Sequence, residues 1–75
     1  MVIKEYLITF YCDSNVIVNT AIDGDSQDSI TNILMKKIKY AKRKKGALSI
    51  TDPNGNVVSI FPERLCAIKV IKNES

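Results

Sequence analysis

The side chains best equipped for chemistry in this chain crowd together: Lys36, Lys37, Lys39, Lys42, Arg43, Lys44 and Lys45 fall between residues 36 and 45. Clustered ammonium groups suit phosphate binding, because they displace counterions from a nucleic-acid backbone. They also suit docking on an acidic protein surface, where charge steers the encounter. A third reading is a solvated helix end whose lysines complement the helix dipole. Arg43 alone among them offers a planar fork for base edges, so nucleic-acid binding here would be insensitive to sequence. An acidic protein surface is therefore the preferred partner, with nucleic acid second. On a helical wheel Lys36, Lys39, Lys42 and Arg43 lie away from the apolar stripe, with Met35 among them. These four form the candidate partner-binding face. Lys37 and Lys44 lie at the stripe's edge, where their stems can cover apolar surface.

Other reactive residue types lead less far. Tyr6, Phe10, Tyr11, Tyr40 and Phe61 could stack on bases or a nucleotide ring if several share an open sheet face. Packing in a core or a subunit interface is the competing use. Tyr6 and Phe10, in register on one strand, are the aromatic pair to place on such a face. Asp23, Asp25 and Asp28 invite comparison with a calcium loop, which needs glycine at its sixth position and glutamate at its twelfth. Counting from Asp23 puts Asp28 and Leu34 there, so no metal is expected and capping explains the aspartates. Cys12 and Cys66 have no histidine to activate a thiolate and no Cys-x-x-Cys spacing. They read as buried small hydrophobes, and a disulfide between them stays open. With no phosphate-binding glycine loop and no paired carboxylates, no catalytic constellation emerges. A non-enzyme with no cofactor is expected.

Charge distribution says more than the net +3. Outside residues 36–45, the basic residues Lys4, Arg64, Lys69 and Lys72 face 8 acidic ones. The molecule is a cationic pole on a mildly acidic body. Hydrophobic content of 45% and charged content of 25% are ordinary for a globular domain. Disorder is expected at most in residues 73–75. Residues 1–75 make one small domain, and a chain of this size buries only about 60% of the surface its unfolded form exposes. With two cysteines and no histidine, disulfides and metals are weak supplements to so thin a core, and self-association is favoured. No apolar run approaches the ~18 residues a membrane span needs. The N-terminus lacks a basic leader and a small-residue cleavage site, so a cytoplasmic protein with reduced thiols is expected.

The elements that must position these residues follow from periodicity and punctuation. Val2 to Cys12 is rich in β-branched and aromatic residues, with Lys4, Tyr6, Ile8, Phe10 and Cys12 facing one way and Ile3, Glu5, Leu7, Thr9 and Tyr11 the other. Apolar residues on both faces mark a central strand. One helix covers one face only, so the other should meet a second copy or a partner. Asp13-Ser14-Asn15 is a polar break that closes a hairpin, and Val16 to Ile22 returns. Asp25 or Ser26 caps a helix over residues 26–45, whose Ile30, Ile33, Leu34, Ile38 and Ala41 share one side. Lys45-Gly46 ends it, with Gly46 taking the left-handed geometry. Ala47 to Thr51 is a short strand, Asp52-Pro53-Asn54-Gly55 matches a type I turn position by position, and Val57 to Phe61 returns. Pro62-Glu63-Arg64 breaks that strand before a last one, Leu65 to Lys72.

The run Leu48-Ser49-Ile50-Thr51-Asp52-Pro53-Asn54-Gly55-Asn56-Val57-Val58-Ser59-Ile60-Phe61-Pro62-Glu63-Arg64-Leu65, closing on Ala67-Ile68-Lys69-Val70, resembles the tail of small, uncharacterised β-rich proteins of prophages and Gram-positive bacteria. The likeness consists of turn and strand chemistry. It implies a phage or mobile-element accessory protein and carries over no functional residue.

The expected fold is α+β, in β-β-α-β-β-β order. An antiparallel sheet of four to five strands has one amphipathic helix packed on one face. The expected function is a small protein–protein interaction module, an accessory or inhibitor protein. It forms a homodimer through an apolar open sheet face and engages a larger acidic host component through Lys36, Lys39, Lys42 and Arg43. Alternatives are sequence-tolerant nucleic-acid binding and a nucleotide-like ligand held at a dimer seam.

Overall fold

The computed structural model describes residues 4–73. Val2 and Ile3, read as the start of the first strand, lie outside the described residues, as do Glu74 and Ser75. Five strands and one helix run β1 (Lys4–Cys12), β2 (Ile17–Gly24), α1 (Gln27–Lys44), β3 (Leu48–Thr51), β4 (Val57–Ile60) and β5 (Leu65–Lys72). The fold is α+β in the expected order.

The strands do not form one sheet. β2, β1 and β5 make a three-stranded antiparallel sheet, and β3 pairs with β4 in a separate hairpin. Alternation in a sequence says which face of a strand is buried, and it is silent about which edge the strand joins. The hairpin meets the larger sheet through a side chain, Thr20 Oγ1 donating to the Thr51 carbonyl at 2.7 Å. Leu48, Ile50 and Ile60 complete the join from within the core. β1 occupies the middle of the sheet, paired to β2 from Lys4↔Gly24 to Tyr11↔Ile17 and to β5 from Tyr6↔Lys72 to Tyr11↔Ala67. That is the central position its two apolar faces predict.

The helix begins and ends for identifiable reasons. Ser26 holds an extended backbone and its Oγ accepts the Ser29 N–H at 3.1 Å. Asp28 lies in the first turn and Lys42, Arg43 and Lys44 in the last, each on the favourable side of the macrodipole. At the C-terminus the left-handed residue is Lys45 (φ 55°, ψ 35°) rather than Gly46. The Gly46 N–H returns to the Ala41 carbonyl and the Lys45 N–H to that of Lys42, the paired bonds of a Schellman motif. Glycine thus stands one place beyond the residue that carries the unusual geometry. Gly55, at φ 84°, does supply positive φ in the β3–β4 turn, where its N–H bonds the Asp52 carbonyl at 3.0 Å.

Ile30, Leu34, Ile38 and Ala41 of α1 are buried, the first three packed with Tyr6, Ile8 and Phe10 of β1 and Val18 of β2. Ile33, expected in this core, is 43% exposed; it lies past the edge of the stripe, beyond the reach of the sheet.

Candidate functional site

The structure places every cation of the helix end at the surface. Lys36, Lys37, Lys39, Lys42, Arg43, Lys44 and Lys45 are all exposed, and none forms an ion pair with a carboxylate among the described residues. One ion pair, Arg64 Nη1 to Asp13 Oδ2 at 3.3 Å, joins two turns elsewhere.

The candidate four divide by position. Lys36 lines a groove on one side of α1 and Lys42 a groove on the other, whereas Lys39 and Arg43 line neither. The groove on the β3 side, about 550 Å³, carries Lys36, Lys37 and Lys44 around Tyr40 and ends on Gly46 to Ser49. There Lys44 Nζ stands 5.1 Å from the Tyr40 ring centroid, a cation–π arrangement that fixes an aromatic face beside three lysines. Tyr40 was one of five aromatics in the sequence, and its spacing of four from Lys36 and Lys44 was the available sign of this cluster. The other groove, about 630 Å³, runs between α1 and β5. Its walls are Leu34, Met35 and Ile38 on one side and Leu65, Ile68 and Val70 on the other, with Lys42 at one end.

Tyr6 and Phe10 do not belong to an open sheet face. They are 4% and 0% exposed and lie in the core under α1. Both alternate sets of β1 carry apolar and aromatic residues, so the pattern left the direction open; the helix covers the set with Tyr6, Ile8 and Phe10. The outward set is Glu5, Leu7, Thr9 and Tyr11. It is not continuously apolar. Leu7 sits between Ala21 and Ile71, and Tyr11 between Ile17 and Ala67, but Thr9 between them is flanked by Asn19 and Lys69. Thr9 Oγ1 donates to Asn19 Oδ1 at 3.0 Å. A polar rung thus splits the face into two apolar spots, which weakens it as a sheet-on-sheet interface.

Cys12 and Cys66 are free thiols. Cys12 is half-buried, while Cys66 is exposed rather than buried as the sequence suggested. Burial pushes the Cys12 thiol upward, helped by Cys66 and Asp13 nearby. Among the described residues no three carboxylate or thiol side chains converge as a metal site would require. No helix among the described residues is long and apolar enough to cross a membrane. Compared with protein-family models, curated proteins and solved structures, the chain matches none.

Proposed function

We propose that this protein is a non-enzymatic interaction module that self-associates and docks on a larger, acidic protein through the basic face of α1. The observation that carries the reading is the set Lys36, Lys39, Lys42 and Arg43: exposed, on one helix, and unmatched by carboxylates of the described chain. A rigid helix presents such charges at fixed spacing without a large ordering cost on binding. The likeness of its C-terminal third to small prophage proteins favours a mobile-element accessory or inhibitor acting on a host component in the cytoplasm. Sequence-tolerant nucleic-acid binding is the second reading, favoured by the same cations together with exposed Tyr40 beneath Lys44. A nucleotide-like ligand at a dimer seam ranks below both.

Fluorescence titration with poly-glutamate, random duplex DNA and random single strands at low salt separates the readings. The protein reading expects saturable binding to the acidic polypeptide that disappears in a Lys36→Glu/Lys39→Glu/Lys42→Glu/Arg43→Glu variant. Binding to either nucleic acid without binding to poly-glutamate would replace it with the second reading.

A further inference from the structure

β5 is an edge strand, paired with β1 on one side. Asn73, just past its end, turns its N–H inward to the Glu5 carbonyl at 2.9 Å, while the Val70 carbonyl points outward and accepts Gln27 Nε2 at 3.1 Å. Antiparallel geometry alternates these directions residue by residue. Hence the N–H groups of Val70 and Ile68 and the Ile68 carbonyl also face outward, without a strand among the described residues to receive them. Such an edge is a template for another strand.

Beside this edge runs the groove between β5 and α1, and its helix wall has a definite order. Asp28, Met35 and Lys42 follow at intervals of seven residues, about two turns each, so they fall on one line along the helix. An acid stands at one end, a base at the other, and Met35, 46% exposed, stands midway. The helix runs antiparallel to β5, with Gln27 beside Val70 and Lys42 toward Pro62 and Leu65. A two-fold axis near Met35 and Ile68 would bring Asp28 of each copy opposite Lys42 of the other. It would also pair the two β5 edges antiparallel. The surface is complementary to itself, which is what an isologous contact requires.

We propose that the occupant of this edge and groove is a second copy of this chain, giving a dimer with a continuous six-stranded sheet. Resting on the self-association half of the function proposed above, it replaces the open sheet face with the β5 edge as the seam. The carbonyl of Val70, with two lone pairs, accommodates both Gln27 and a partner N–H. Lys42 is then engaged at the seam, and Lys36, Lys39 and Arg43 remain as the docking cations.

Sedimentation velocity over a concentration series tests this on the full chain, with circular dichroism to confirm the fold. The wild type should reach a dimer, and Met35→Glu, which alters an exposed side chain and leaves the basic face in place, should sediment as a monomer. Asp28→Lys and Lys42→Glu should each weaken the dimer, and mixing the two variants should restore it as a heterodimer, because each then supplies the charge the other lacks. A dimer that ignores Met35→Glu, or a mixture that stays monomeric, overturns the β5 seam while leaving self-association standing. A wild type that stays monomeric throughout overturns both, and leaves the basic-face reading to its own titration.

Discussion

The side chain of Ile30 fills the space that a β-carbon on Gly24 would occupy: an added Cβ would stand 2.5 Å from Ile30 Cδ1 and 3.0 Å from Cγ1. Gly24 closes β2 and Ile30 is fully buried in the first turns of α1, so glycine lets the helix settle onto the end of the sheet. Gly24→Ala should destabilise the protein by about 1–3 kcal/mol, the usual cost of overpacking. Urea denaturation would show it as a lower midpoint with an unchanged slope.

Neighbouring isoleucine and leucine on α1 should behave differently. Leu34 is buried and should lose about 2–5 kcal/mol on change to alanine, a large share of what a domain this small can hold. Ile33, exposed at the stripe's edge, should lose less than about 1 kcal/mol. Thermal melts of Leu34→Ala and Ile33→Ala give the comparison.

Lys45 adopts a left-handed conformation that costs a residue with a β-carbon about 1–2 kcal/mol. Lys45→Gly should therefore stabilise the fold by about 1 kcal/mol, despite removing one cation from the dipole's negative end. A rise in denaturation midpoint is the expected reading; a fall would mean that the charge matters more than the backbone.

The two thiols should react at different rates. Cys12 is shielded and its pKa is raised, so at neutral pH less of it is thiolate, the reactive form. Because the pKa is raised, its reaction should gain speed only as pH climbs through and beyond the ordinary thiol range. In Cys66→Ser the remaining Cys12 should react with a disulfide reagent more slowly than Cys66 does in Cys12→Ser. Equal rates at pH 7 would contradict this placement.

What the residues disclosed in advance follows the range of the forces involved. Capping by Ser26, the dipole pattern and the apolar spacing of Ile30, Leu34 and Ile38 are local, and α1 matched them to within a residue at each end. The two-faced composition of β1 marked it as central. Its inward face stayed open, because Tyr6 and Phe10 on one side are answered by Leu7 and Tyr11 on the other, and only the helix's position decides between them. The split into two sheets, the contact of Gly24 with Ile30 and the open β5 edge depend on strand order, which alternation does not encode. The exposure of the cations between residues 36 and 45 was legible from charge density alone, but their division between two grooves and the stacking of Lys44 on Tyr40 were not.

The central claim is that the basic face of α1 binds an acidic protein. Affinity capture from the native host at low salt, with wild type and a Lys36→Glu/Lys39→Glu/Arg43→Glu variant side by side and mass spectrometry as the readout, is the decisive test. A host protein with an acidic surface should be retained by the wild type and absent from the folded variant. The same set of proteins captured by both would contradict it.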